Sequence, residues 1–98
     1  MKPFYFIFEA DPQTDNPVVG HVSRAAAHIW TFSPDAGEAR DVALRFLESE
    51  HWTVTKETKA ESPSPDQLTE LDADDQVNYE AARSNGIHSK FYYWHRSE

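Results

Sequence analysis

The apolar positions of the chain begin with a short aromatic run that predicts a strand. Residues 4–9 read FYFIFE, so three phenylalanines share one face of a strand while a tyrosine and an isoleucine share the other. A strand that is apolar on both faces is typical of a central or doubly covered position. We therefore predict that this strand lies inside a sheet and that the turn-rich residues 11–20 connect it to the next strand.

Two further strands flank the clearest helix of the sequence. Residues 25–32 (AAAHIWTF) and 52–57 (WTVTKE) alternate as strands do, and the charged run after the second predicts a sheet edge or a projection into water. Between them, Ser33 supplies a hydroxyl N-cap and Pro34 a first helical residue, and apolar positions then recur at helical spacing. We predict a helix from Pro34 to Glu50.

The second half of the chain predicts another helical region and a last strand. Ser64 and Gln67 form the S-x-x-Q pattern of a capping box, and Asn85–Gly86 is a stop signal. The acidic run 72–75 interrupts the apolar stripe between these points, which leaves open a break into two helices. Residues 89–95 (SKFYYWH) predict the final strand.

The element order is therefore β-β-α-β-α-β. The strand–helix–strand unit over residues 25–57 predicts a right-handed crossover between two parallel strands, with the remaining strands added antiparallel. This gives an α/β (α+β) two-layer sandwich: a mixed four-stranded sheet with two helices on one face and the other face open. A chain of 98 residues buries roughly two-thirds of its surface on folding, so we expect residues 1–98 to form one compact domain.

Several short segments along the chain carry a resemblance to other small proteins. They are AHIWTF at residues 27–32, Glu38-Ala39, Phe46-Leu47, WTV at 52–54, Ala81-Ala82 before Gly86, and FYYW at 91–94. This set resembles small bacterial domains of unknown function. The resemblance covers most of the chain, and because those domains carry no assigned activity, it transfers no functional residue.

Composition excludes several classes of chemistry. The chain has no cysteine, which excludes a disulfide scaffold, thiol catalysis and cysteine-ligated metal centres. Its three glycines are isolated, so a glycine-rich phosphate loop is absent. No apolar run approaches the ~20 residues of a membrane span, and the start MKPFYFIFEAD does not have the pattern of a signal peptide. We expect a cytoplasmic protein without membrane contact.

The five histidines invite a search for a metal site, but their spacing matches no zinc template. The one cluster that the sequence suggests is formed by His28 and His95 on predicted strands, joined by His88 and with Glu9 nearby. Hydrogen-bonded or partly exposed strand histidines explain the same residues, so we predict no metal and no cofactor.

General acid–base chemistry is the alternative function that the residues suggest. Glu9 follows a strongly apolar strand and His28 lies between apolar neighbours, so burial could move the pKa of either group. Together they could transfer protons on a small ligand in an aromatic pocket. Glu9 at a solvent-exposed strand tip is the simpler interpretation. A serine nucleophile is not indicated, since no serine lies in a G-x-S-x-G pattern.

The net charge of −8 is concentrated in the second helical region. Seven acids and no base lie between Lys59 and Arg83. Such a surface can steer a basic protein partner, and it disfavours nucleic acid despite the aromatic and basic residues near the C-terminus. A solvated helix face is the simpler explanation. Within it we single out Glu70, Asp72, Asp74 and Asp75 as candidate partner-binding residues.

The sequence has more aromatic residues than one helix-covered sheet face needs. The surplus residues are Tyr5, Tyr92, Tyr93 and Trp94, and on an open sheet face they would form an apolar patch for a second copy or a ligand, with Tyr5, Tyr92 and Trp94 as its main positions. We therefore predict a non-catalytic binding module that forms a homodimer through this face and offers the acidic helix to a basic partner. The alternative is a small-ligand-binding protein or enzyme that uses Glu9 and His28.

Overall fold

A four-stranded antiparallel sheet and three helices build the fold in the computed structural model, which describes residues 1–96. The elements in chain order are β1 (Lys2–Pro12), β2 (Val22–Ser33), α1 (Ala36–Ser49), β3 (Trp52–Glu61), α2 (Pro65–Thr69), α3 (Ala73–Asn85) and β4 (Ile87–His95). The fold is therefore α+β. The second helical region is divided into two helices, at the acidic interruption where the sequence left a break open.

The strand order is β3-β1-β2-β4, and every neighbouring pair is antiparallel. The prediction of a mixed sheet is thus wrong. Strands β2 and β3 do run in the same direction, but β1 lies between them and pairs with both. Burial favours this arrangement, because β1 carries apolar side chains on both faces and gains most from an inner position. The charged strand β3 takes an edge, where its lysines discourage further pairing.

The helices lie on opposite faces of the sheet, so the prediction of both on one face is wrong. Helix α1 shares a core cluster with Phe4, Phe6, Phe8 and Ile29 through its buried residues Ala39, Ala43 and Leu47. Helix α3 instead packs against the neighbouring positions of β2, where Tyr79 contacts Trp30 and Phe32. Since successive strand residues point to opposite faces, the two packings mark two covered faces.

Four fully buried alanines bring α1 close to the sheet. Ala25 and Ala27 on β2 and Ala39 and Ala43 on α1 have no exposed surface. Small side chains on both elements leave room for the phenylalanines of β1 between helix and sheet. The core is therefore built from large rings set among small residues.

Helix α1 begins later than the sequence predicts. Its N-cap is Asp35, whose carboxylate accepts a 2.8 Å hydrogen bond from the Glu38 amide. Ser33 instead ends β2, where its buried hydroxyl pairs with that of Thr31 at 3.2 Å. Pro34 lies in the connection between strand and helix. A carboxylate at Asp35 competes well for the cap because it also interacts with the helix dipole.

The start and stop signals of the second helical region are confirmed. Ser64 and Gln67 form a reciprocal capping box at the start of α2. Gly86 ends α3 with φ of 87°, a left-handed conformation that favours glycine.

Candidate functional site

The second face of the sheet is covered at one end only. Helices α2 and α3, with the turns around them, form what we call the acidic cover, residues 62–85. The cover lies over the end of the sheet where Trp30 and Phe32 contact Tyr79. Its other anchor is a 3.1 Å hydrogen bond between Asn78 Oδ1 and His88 Nε2. No helix within residues 1–96 lies over the rest of this face.

We call the uncovered part of this face the open half. By strand register its positions are Ile7, Glu9, Arg24, Ala26, His28, Lys56, Lys90, Tyr92 and Trp94. Tyr92 and Trp94 are each 50% exposed, which is unusual for large aromatic side chains. Tyr93, between them in sequence, points to the opposite face and stacks in line with Phe91 and Trp52, so its predicted place in the open-face patch is wrong. Successive strand residues alternate between faces, and Tyr92, Tyr93 and Trp94 cannot all share one.

Tyr5 and His28 meet where the acidic cover ends and the open half begins. The Tyr5 hydroxyl lies 2.5 Å from His28 Nδ1, and the His28 ring meets the Tyr92 ring edge-on at 4.8 Å. Burial, followed by the Asp75 carboxylate, raises the pKa of Tyr5 to about 12. Burial also lowers the pKa of His28 below its ordinary value, with Lys59 and Lys90 acting in the same direction and Asp75 opposing.

These shifts fix the direction of the hydrogen bond near neutral pH. A neutral phenol donates and a neutral imidazole accepts at Nδ1, so the ring proton of His28 is on Nε2. Sequence reasoning singled out both residues but missed their pairing. The register between β1 and β2 is the signal that places them diagonally across two neighbouring strands.

Glu9 and His28, the predicted acid–base pair, share a face but have different polar partners. Glu9 lies 3.8 Å from Arg24, which also donates a 2.9 Å hydrogen bond to Asp11. His28 has its hydrogen bond with Tyr5. Glu9 therefore belongs to a carboxylate–guanidinium group at the far end of the open half, next to a shallow groove bordered by Trp94.

The four predicted partner-binding acids are divided between structural and surface positions. Glu70 is the C-cap of α2, and the Asp72 side chain caps α3 by accepting from the Asp75 amide at 2.8 Å. Asp74 is exposed on the first turn of α3, whereas Asp75 is half-buried and points toward the sheet. Three of the four acids, Glu70, Asp72 and Asp74, are therefore exposed to solvent, and Asp75 has different surroundings.

A cavity of about 200 Å³ separates the acidic cover from the sheet. Tyr5 and Trp30 form its aromatic wall, and Glu61 and Asp75 contribute carboxylates from two different elements. Lys59 also borders it, with Nζ 5.9 Å from the centre of the Tyr5 ring. Sequence reasoning did not single out Lys59, Glu61 or Trp30, because β3 and the cover meet only in the folded chain.

The histidines do not come together as a metal site would require. His28 pairs with Lys90 in the β2–β4 register, whereas His95 pairs with Val22 at the other end of the strands. Within residues 1–96, no group of three or more histidine, aspartate or glutamate side chains is arranged to hold a metal ion. No helix in the same range is long and apolar enough to cross a bilayer.

Comparison of the chain with family models, with curated proteins and with solved structures finds no match in any of the three.

Proposed function

We propose that this protein is a non-catalytic interaction module of the cytoplasm that works as a homodimer. The acidic cover of each copy docks on the open half of the other. The observation that carries the proposal is the half-covered sheet face, on which Tyr92 and Trp94 are each 50% exposed. Exposed aromatic residues on a flat surface are typical of contact surfaces in domains of this size.

The shape of the molecule favours a reciprocal pairing. The acidic cover projects above one end of the sheet, and the open half beside it is not covered. Two copies fit together when the acidic cover of each packs on the open half of the other. This is an isologous contact with a two-fold axis between the copies. Both contacts then form together.

Charge supports the same pairing. The acidic cover has six acids and one base, Arg83. The open half has three bases, Arg24, Lys56 and Lys90, against one acid, Glu9, and Asp11 lies beside it two residues further along β1. In the dimer, the acidic cover of one copy faces the basic residues of the second copy through Glu70, Asp72 and Asp74. The basic partner expected for the acidic helix is then a second copy of the same protein. Such complementarity contributes to specificity and to the rate of association.

The outer side of the cover adds an apolar contact. Val77 is 68% exposed and lies two residues from both Asp75 and Tyr79, which face the sheet. Residues two apart point to opposite sides of a helix, so Val77 faces away from the sheet. In the proposed dimer it packs against Tyr92 and Trp94 of the other copy.

The available area is of the right order. Four strands about 4.8 Å apart and five residues of about 3.4 Å each give roughly 300 Å² in projection for the open half. Helix α3, with 13 residues, adds roughly 200 Å². Accessible area exceeds projected area, so the accessible area of the open half and α3 together approaches that of a standard stable interface, which is about 800 Å² per partner.

Light scattering coupled to size-exclusion chromatography tests the proposal. We expect the 11.3 kDa chain to elute with twice that mass at high concentration. The double variant Tyr92→Ser, Trp94→Ser should elute as a monomer. The matched control is Tyr93→Ser, which removes a ring of 43% exposure from the opposite face and should stay dimeric.

Two results would overturn the homodimer. One is a wild-type chain that is monomeric at every concentration and whose acidic cover binds a basic protein of another kind. The other is a dimer that survives the double variant, which would place the interface elsewhere.

Acid–base chemistry by Glu9 and His28 is supported less well. The carboxylate of Glu9 is engaged with Arg24, and His28 is bonded at Nδ1 to Tyr5. The cavity with aromatic walls has Tyr5 and Trp30 as its rings and Glu61 and Asp75 as its carboxylates, so it does not combine Glu9 and His28 as this alternative requires.

A further inference from the structure

We propose that the cavity between the acidic cover and the sheet binds a small organic cation, a protonated amine or a quaternary ammonium group. The proposal is independent of the homodimer, because the cavity lies between elements of one chain. It rests on three features of the walls: paired aromatic rings, two carboxylates, and a lysine of the protein that already makes the contacts of such a ligand.

The aromatic wall is built from two neighbouring strands. Tyr5 and Trp30 are register partners on β1 and β2, and their ring centres lie 4.7 Å apart with the planes tilted by 37°. Faces of tyrosine and tryptophan rings attract cations through the negative potential above the ring. Trp30 is only 3% exposed, and its indole Nε1–H has no acceptor in the described part of the chain, as expected of a wall completed by a bound molecule.

The carboxylates approach the cavity from two directions. Glu61 ends β3, and Asp75 lies on the first turn of α3. Their charges outnumber the single ammonium of Lys59, so the cavity has a negative potential. The same field acts with burial to hold the Tyr5 hydroxyl in its neutral form. A cation gains from both carboxylates, whereas an anion would be repelled by them.

Lys59 occupies the cavity mouth as a tethered ammonium. Its Nζ lies 5.9 Å from the centre of the Tyr5 ring and 3.5 Å from Glu61 Oε1. One aromatic face and one carboxylate are the partners that a free ammonium ligand would seek. The Lys59 side chain is 45% exposed, so it can move into solvent when a ligand takes its place.

The size of the cavity limits the ligand. About 200 Å³ accommodates a headgroup of a few non-hydrogen atoms rather than a nucleotide or a peptide. Gln67, which borders the cavity, uses its side-chain oxygen to accept from the Ser64 amide, so its amide nitrogen is left to contact a polar group of the ligand.

Titration of the full chain with ethylammonium chloride and tetramethylammonium chloride, followed by amide chemical shifts, tests the proposal. Sodium acetate at the same ionic strength is the anion control. We expect both cations to shift the amides of residues around Tyr5, Trp30 and Asp75, and acetate to leave them unchanged. Shifts with acetate alone would overturn the proposal, because Lys59 would then be an anion site.

Three substitutions sharpen the test. Lys59→Met keeps the aliphatic stem but removes the tethered competitor, so cations should bind about tenfold more tightly. Asp75→Asn should weaken binding about tenfold. Asp74→Asn is the matched control on the same helical turn, where the carboxylate is exposed, and should change little.

The Lys59→Met variant gives the clearest test of the proposal, because a misfolded chain cannot gain affinity for the cations. Weaker binding by Lys59→Met would contradict the competitor role. Equal losses in Asp74→Asn and Asp75→Asn would show that the cations respond to net charge alone, and this too would overturn the site.

Discussion

The Tyr5 hydroxyl donates to His28 Nδ1 across two neighbouring strands, at a separation of 2.5 Å. This bond joins the two parts of the second sheet face, since Tyr5 lines the cavity beneath the acidic cover and His28 belongs to the open half. Its strength depends on both groups being neutral. The pair therefore makes the stability of the protein sensitive to pH at both ends of the scale.

At the acidic end, His28 should lower stability as pH falls. Burial holds its pKa in the folded chain below the ordinary 6.5, so the unfolded chain takes up a proton first. The free energy of unfolding should then decrease as pH drops below about 6.5 toward the folded-state pKa. Thermal unfolding of the wild type and of His28→Gln between pH 5 and 7.5 measures the effect.

We expect the two proteins to differ in the slope of melting temperature against pH. The melting temperature of His28→Gln should vary less with pH in this window, because the remaining four histidines and the carboxylates contribute equally to both chains. Parallel curves would show that His28 is not coupled to folding.

At the alkaline end, Tyr5 should resist ionisation. Its pKa of about 12 lies above the ordinary 10.0, chiefly because of burial. Ultraviolet titration of the phenolate should show one of the four tyrosines ionising well above pH 10, and Tyr5→Phe should remove that step. The stabilisation is complete below pH 10 and is lost as pH rises through about 12. If Tyr5→Phe instead removes an ionisation step near pH 10, burial does not raise the pKa of Tyr5.

The N-cap of α1 gives a stability prediction that distinguishes a capping carboxylate from an exposed carboxylate within the same helix. Asp35→Ala removes the acceptor of the Glu38 amide and should cost about 1 kcal/mol of unfolding free energy in urea denaturation. Asp41→Ala removes an exposed carboxylate from the same helix and should stay within about 0.5 kcal/mol of the wild type. Equal effects would mean that Asp35 acts through charge rather than as a cap.

Close contact between α1 and the sheet predicts intolerance of larger side chains at its alanines. Ala43 has no exposed surface, so Ala43→Leu should destabilise the protein by about 1–3 kcal/mol through overpacking. Ala36→Leu, at the exposed start of the same helix, is the control and should be nearly neutral. A neutral Ala43→Leu would indicate empty space beneath the helix.

Local signals predicted the elements of this fold better than their arrangement. The capping box at Ser64, the stop at Gly86 and the inner position of the aromatic strand all follow from short-range chemistry, and each is confirmed. Strand order was not predictable because a strand–helix–strand unit does not require its two strands to be neighbours, and β2 and β3 run in the same direction with β1 between them. The face that each helix covers depends on which side of the sheet the chain crosses, and short-range patterns do not specify that side.

The site was predictable to a lesser degree. Of the four surplus aromatics that the sequence indicates, Tyr5, Tyr92 and Trp94 lie on the second sheet face, whereas Tyr93 points to the opposite face. The pairing of Tyr5 with His28 needs the register of two strands, and the meeting of Lys59 with Tyr5 needs the β1–β3 pairing as well. Asp75 looked equivalent to Asp74 in sequence, and only the docking of α3 turns one inward and leaves the other exposed.

Complementary charge reversal tests the central claim, the docking of the acidic cover on the open half of a second copy. One chain carries Glu70→Lys and Asp74→Lys, which spares the Asp72 cap, and the other carries Lys56→Glu and Lys90→Glu. Each variant alone opposes like charges at both contacts of a homodimer, whereas the mixed pair restores opposite charges at both. Analytical ultracentrifugation at low salt should therefore show two monomeric variants that form a dimer when mixed. A mixture that stays monomeric while the wild type dimerises, or variants that dimerise alone, would contradict the account.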